Sequence, residues 1–279
     1  MKKLLTVLCA LLFIAGCSAA PSPSASAEDK PARSGGNFTD QMKLTYRDDL
    51  DPEAGADSVE RQGDHPDSPY FSTVDFYNAE STASLTILPH FQTMQQTSEW
   101  SCGVVSALLV LNYYDQLGEQ TERTLAEMRS NGLTPEATDM ESMITIFEQT
   151  GGFKLESSLD YPVDQLAEAF PLERFETLLK AGTPVMVAWN DWGGHWQVVI
   201  GYDTLGTETT QDDVLIVADP YDTTDHNQDG YTVYGAERFY YNWTMYDFFE
   251  GSTADEIRQF VKDHDDIQEI LNTHDSEYI

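Results

Sequence analysis

Cysteine is scarce, with three in 279 residues: Cys9, Cys17 and Cys102. Positive charge is also thin, since 15 Lys+Arg stand against 48 Asp+Glu and leave a formal net charge of −33. A surface of that sign repels a phosphate backbone, which argues against any nucleic-acid partner. No apolar run reaches the ~20 residues that a spanning helix requires. What the chain does have is a hydrophobic share of 41% and an aromatic share of 11%, which rule out wholesale disorder. At ~100–200 residues per domain, this length accommodates one or two.

The beginning of the chain reads as an address. Lys2 and Lys3 precede an apolar stretch from Leu4 to Ala15, too short to span a membrane and suited to an export signal. The stretch ends in Ile14-Ala15-Gly16-Cys17, which resembles the lipobox of bacterial lipoproteins: an aliphatic residue, two small ones, then cysteine. The expectation is a signal over residues 1–16, cleavage before Cys17 and a lipid on its sulfur. The protein would then be extracytoplasmic and lipid-anchored to a bacterial membrane. Cys9 leaves with the signal and Cys17 is capped, so Cys102 is the one free thiol and no internal disulfide can form. A lone thiol in an oxidising place is either buried and inert or has a task.

Residues 17–69 are expected as a stalk. Ser18 to Gly36 is rich in Pro, Ser and Ala, and Asn37 to Pro69 is acidic and poor in large apolar residues. The domain is then placed at 70–279. Tyr70–Tyr77 and Leu85–Leu88 read as strands. Cys102–Leu117 reads as a half-buried helix, Glu122–Ser130 as a second, and Thr138 with Glu141 as a capping box for a third that stops at Gly151-Gly152. A fourth helix is expected over Leu172–Ala181. The period then changes: Pro184–Trp189, His195–Tyr202, Val214–Ala218 and Glu237–Trp243 read as strands. Ile257 to Leu271 carries the spacing of a terminal amphipathic helix. Helices first and an antiparallel sheet afterwards make an α+β layout.

Cys102 sits at a predicted helix N-terminus, where unpaired N–H groups and the helix dipole favour a thiolate. Gln96, six residues upstream, can loop back and donate its amide to an oxyanion beside the sulfur, with Gln92 and Gln95 as rivals. Of six histidines, His195 has the best setting. It follows Gly193-Gly194 and opens the strand His195–Tyr202. A hairpin between that strand and Val214–Ala218, centred on residue 208, brings His195 close to Asp219. Asp219-Pro220 turns the chain there and leaves a carboxylate to orient the imidazole, with Asp222 as the fallback.

These residues carry a resemblance. Gln96, Cys102-Gly103, Gly194-His195-Trp196-Gln197-Val198-Val199-Ile200-Gly201-Tyr202 and Asp219-Pro220 resemble the papain-like cysteine peptidases of the bacteriocin-leader-peptidase type, in their stand-alone double-glycine-peptidase-like branch. The match covers about 91–221. It implies a papain-like fold with Gln96 as oxyanion donor, Cys102 as nucleophile, His195 as base and Asp219 as orienter. Ser101 and Val104 depart from the acidic residue and the proline that often flank the Cys-Gly pair in that family. The reading is a peptide or isopeptide hydrolase acting on a peptide or protein substrate through a Cys102 thioester. Its rivals are a peptide-binding lipoprotein whose catalysis has decayed, and a cell-wall amidopeptidase or acyl transferase using the same thiol. No cofactor is required. Asp225-His226-Asn227-Gln228-Asp229-Gly230 has the alternating oxygens and glycine of a calcium loop, but Ala236 stands at position 12 and a solvated turn is the preferred reading.

Overall fold

The computed structural model describes residues 7–12, 41–59, 69–70, 74–162, 165–191, 193–225 and 227–244. The lipobox, most of the stalk, the expected helix over 257–271, His65, His226, His264, His274 and Trp192 lie outside the described residues.

Helix α1 (Cys102–Tyr113) is buried from Cys102 through Leu111. The apolar spacing suggested one buried stripe; instead the helix threads the centre, between the sheet and helices α2 (Glu122–Glu127) and α3 (Met140–Thr150). Thr121 caps α2 in a reciprocal box with Thr124. Asp139 caps α3 by accepting from Ser142 N at 2.7 Å, in place of the expected Thr138–Glu141 box. Thr138 is occupied elsewhere, against Gly103. A one-turn α4 (Leu166–Ala169) and the amphipathic α5 (Glu173–Lys180) follow.

Among the described residues the sheet has seven strands: β1 (Val7–Leu12), β2 (Leu85–Ile87), β3 (Lys154–Ser157), β4 (Val185–Trp189), β5 (His195–Asp203), β6 (Val214–Ala218) and β7 (Tyr231–Gly235). They run antiparallel in the order β3-β1-β4-β5-β6-β7, and β2 pairs the part of β5 beyond β4. β5 is buried from His195 to Tyr202, as a central strand covered on both faces should be. Val198 faces Ala218, which puts the centre of the β5–β6 hairpin at residue 208 as expected. A bulge between Val199 and Gly201 shifts the register toward the loop. Among the described residues, no helix is long and apolar enough to cross a membrane.

Three expectations are corrected. No strand forms over 70 or 74–77; Asp75 accepts from Asn78 N and Nδ2 and bends the chain there. Residues 41–59 are not free linker: Met42 and Leu44 are buried, Leu44 N donates to Thr93 O at 2.8 Å, and Ala56 and Asp57 pack against the segment before Cys102. Their few apolar residues are enough because they add onto an existing core. Glu237–Trp243 is helical, within α6 (Ala236–Thr244), because Phe239 and Trp243 stack one turn apart and face Phe175. The short β3 and β7 carried too little pattern to be expected. Val7–Leu12, within the apolar stretch read as an export signal, form β1, where Cys9 pairs with Ser157 on one side and Met186 on the other.

Candidate active site

Cys102 is the first residue of α1, and β5 starts at His195 directly beside it. Gly103 makes that closeness possible. A Cβ there would lie 2.8 Å from Thr138 Cβ and 3.0 Å from Trp196 Cδ1, so only glycine lets α1 meet β5 and the α3 entry at once. Trp196 Nε1 donates to Thr138 O at 2.8 Å, and Ser106 Oγ donates to Trp196 O at 3.1 Å, fastening the same corner.

The imidazole of His195 bridges two groups. Its Nε2 lies 2.7 Å from Asp219 Oδ1, and the ring also stands against the Cys102 thiol. Asp219 is itself held: Tyr221 N donates to Oδ1 at 2.8 Å and Gln197 Nε2 to Oδ2 at 2.6 Å. Gln197 accepts from Trp189 Nε1 at 2.7 Å and contacts Tyr234 Oη at 2.9 Å, and Tyr234 donates to Asp191 Oδ2 at 3.1 Å. The chain of bonds runs from the sulfur to the far rim of the sheet.

Burial shapes the charges. It pushes the Cys102 thiol up, yet the hydrogen bond and positive charge of His195, with the backbone of Trp196 and Gly103, bring it net below an ordinary thiol. Burial pulls His195 down, but the Asp219 carboxylate and the Cys102 sulfur drive it up to about 10. Asp219 ends below the usual carboxylate range because His195, Tyr221 N–H and Gln197 outweigh its desolvation. His195 is thereby held cationic and Asp219 anionic, and the pair favours the thiolate of Cys102 over an ordinary thiol.

Gln96 is buried in the segment leading to Cys102, and its N–H donates to Pro220 O at 2.8 Å. Its Nε2 donates to Ser98 O at 2.7 Å, while Oε1 has no hydrogen-bond partner. Gln95 reaches Asp219 O at 3.4 Å. Gln92 is spent on Gln41 O and Asn112 at the surface. The fallback Asp222 does not touch His195; its Oδ2 accepts from Asp229 N and Gly230 N. His90 leans on Tyr77 and is remote from this chemistry.

The model of the Peptidase_C39 like family matches residues 88–249, more than half of the chain. The chain belongs to the Peptidase_C39-like family. No curated protein and no solved structure matched it. The matched stretch holds α1 to α6 and β3 to β7, so the α+β, papain-like architecture and the family's sequence pattern coincide.

Three further residues of this C39-like chain bear on the site. Gln197 lies on the His195 face of β5, and a polar residue two positions along a buried apolar strand was the available signal. Glu122 accepts from Thr97 N at 3.1 Å, Thr97 Oγ1 at 2.6 Å and Ser101 Oγ at 2.5 Å, so α2 delivers a buried carboxyl beside the residue preceding the nucleophile. Ser101 replaces an acidic residue often found there, and Glu122 brings one in from another element. Burial, with Asp57 nearby, pushes that carboxyl up to about 7 despite its three donors. Arg129 stacks on Trp100 at 4.3 Å and ties Gly132 O, Thr134 O and Glu136 O together. Nothing in sequence separates Glu122 from the surface acids.

Proposed function

We propose that this chain is an exported, lipid-anchored cysteine peptidase that hydrolyses peptide or isopeptide bonds through a thioester on Cys102. The observation that carries the peptidase reading is the Cys102–His195–Asp219 series, in which His195 Nε2 lies 2.7 Å from Asp219 Oδ1 and the ring favours the Cys102 thiolate. A thiolate from Cys102 would attack the carbonyl carbon of the scissile amide. The resulting oxyanion would be met by the Cys102 N–H and by Gln96 Nε2, turned from Ser98 O. His195 would pass its proton to the leaving amine as the C–N bond breaks, leaving the thioester. Water would then attack the thioester carbonyl while His195 takes its proton; the C–S bond breaks, the acid departs and the thiolate returns. Asp219, pinned by Gln197 and Tyr221, would keep the ring in line throughout. The extracytoplasmic anchor is supported by Ile14-Ala15-Gly16-Cys17.

The test is hydrolysis of a mixed peptide library against peptidoglycan fragments by wild type and Cys102→Ala. Peptide cleavage that vanishes in the variant supports the proposal. Turnover of peptidoglycan fragments alone would assign the thiol to cell-wall amides. No turnover together with an inert thiol would leave a binding protein.

A further inference from the structure

The segment from Gln96 to Ser101 joins the oxyanion donor to the nucleophile, and it does so without helix or strand. Gln96, Thr97, Ser98 and Ser101 are nevertheless all buried. A buried irregular segment must find partners for its polar groups in other elements. One side chain of α2 meets much of that need. Glu122 Oε1 accepts from Thr97 N at 3.1 Å and Ser101 Oγ at 2.5 Å, and Oε2 accepts from Thr97 Oγ1 at 2.6 Å. Glu122 is the first residue of α2, whose start is fixed by the Thr121–Thr124 box and whose Leu125 and Ala126 lie in the core. The carboxyl is therefore presented from a rigid base.

From that base a relay leads to the oxyanion donor. Ser98 Oγ donates to Ser101 Oγ at 2.7 Å, and Ser98 O accepts from Gln96 Nε2 at 2.7 Å. The bonds run unbroken from Glu122 through Ser101 and Ser98 to the Gln96 amide. Residues 50–57 tie the same segment by its main chain: Leu50 N donates to Thr97 Oγ1 at 2.9 Å, Asp51 N to Thr97 O at 3.2 Å and Asp57 N to Gln96 O at 3.2 Å. Cys102 has separate support. It opens α1, where Val105 N donates to Ser101 O at 2.9 Å and the residues from Val104 to Leu111 are buried. What Glu122 fixes is thus the other member of the pair, the main chain from which Gln96 swings its amide off Ser98 O.

We infer that Glu122 is a positioning residue for the oxyanion-forming step, clamping the Gln96–Ser101 segment so that only the Gln96 side chain has to move. The inference rests on the peptidase reading of Cys102, His195 and Gln96. Its physical basis is the steepness of catalysis with geometry: misplacing a group by about 1 Å costs up to about 10²-fold in rate. Removing the clamp frees Thr97 N, Thr97 Oγ1 and Ser101 Oγ to seek other partners, and the segment shifts to meet them. The thiolate and its imidazolium, held by α1 and β5, stay where they are.

The experiment uses the full chain and two small probes, with the rate of Cys102→Ala subtracted from each. With p-nitrophenyl acetate the thiolate adds to the ester carbonyl, an oxyanion forms and collapses, and p-nitrophenolate leaves. Water then releases the acetyl group from sulfur as acetate. With iodoacetamide the sulfur displaces iodide and no oxyanion forms. Glu122→Ala should slow acetylation by about tenfold or more and leave the alkylation profile in place. Glu122→Gln offers the same partners an oxygen and an N–H, and should stay within about threefold of wild type. Ser101→Ala cuts one link of the relay and should slow acetylation in the same sense, which decides the matter if Glu122→Ala does not melt cooperatively. Gln96→Ala combined with Glu122→Ala should match Gln96→Ala alone to within about twofold, because no amide is left to place. Three results would overturn the inference. One is acetylation at the wild-type rate in the folded variants. Another is an equal fall in alkylation and acetylation, which would tie Glu122 to the thiolate or to packing. The third is a pair of losses that multiply in the double variant. A wild type inert to both probes would instead remove the peptidase reading, and this inference with it.

Discussion

Cys102 and His195 move each other's ionisation in opposite directions, and that coupling is measurable. The thiol lies below an ordinary cysteine only because the imidazolium outweighs burial. Alkylation by iodoacetamide should therefore remain fast well below the ~8.5 of a free thiol. His195→Ala removes the cation and leaves the burial, so the alkylation profile should move above that value. Asp219→Asn should shift it less, because the ring stays. Gln96→Ala should leave alkylation unchanged, since no oxyanion forms there, yet slow amide hydrolysis by about 10²–10³. The same groups set stability against pH. His195 is raised, so its contribution is complete below about 6.5 and is lost as pH climbs through about 10. Asp219 is lowered, so its contribution is present above about 3.9 and is lost as pH falls through its folded value. Glu122 has the opposite sense to Asp219. Its folded value of about 7 means the native state holds a proton that the unfolded chain has released, so stability falls between about pH 4.5 and 7 and is flat above. Glu122→Gln keeps acceptor and donor for Thr97 and Ser101 without the charge. Melting curves of that variant should lose the fall and end above wild type at pH 8, by roughly 3 kcal/mol. A parallel pH dependence in wild type and variant would refute the assignment.

Among the elements, the corner where α1, β5 and the α3 entry meet is the tightest constraint on the nucleophile. Gly103→Ala puts a methyl group into Thr138 and Trp196, and α1 must tilt away from β5 to admit it. Overpacking of this kind typically costs about 1–3 kcal/mol. Here it should also lengthen the Cys102–His195 bond, so the alkylation profile should rise toward an unpaired thiol along with the fall in melting temperature. A variant that melts lower but keeps the wild-type profile would show that the corner serves packing alone. These same elements show what sequence could reveal. Cys102, His195 and Asp219 were legible because a helix N-terminus, a double-glycine strand start and a symmetric hairpin fix positions by spacing, and Val198 opposite Ala218 obeys that symmetry. α6 was misread because Phe239, Tyr241 and Trp243 alternate as a strand would, while Phe239 and Trp243 are also one helical turn apart; packing on Phe175 decides between the periods. Glu122 and the anchoring of residues 41–59 were illegible for another reason. Both depend on contacts between segments far apart in sequence, such as Glu122 with Thr97 and Leu44 with Thr93, which no local pattern encodes.

For the whole molecule, the fate of β1 decides between two architectures. In the full chain, Val7–Leu12 fills the slot between β3 and β4 and, among the described residues, is the only strand that β3 pairs with. Processing before Cys17 would take this strand away. β4 would still pair with β5 from Val185–Val199 to Trp189–His195, and β5 with β6, so the strands that carry His195 and lead to Asp219 keep their ladders. What is lost is the outer ladder of β4 and the whole attachment of β3, an exposed edge that lowers stability without touching the triad. The chain 17–279 should accordingly melt below the full chain and retain its Cys102 alkylation profile. In cells, Cys17→Ala should abolish lipid labelling and processing together. Should the shortened chain lose its reactive thiol while the full chain keeps it, β1 belongs to the working fold, and the export reading of residues 1–16 fails even if the peptidase reading stands.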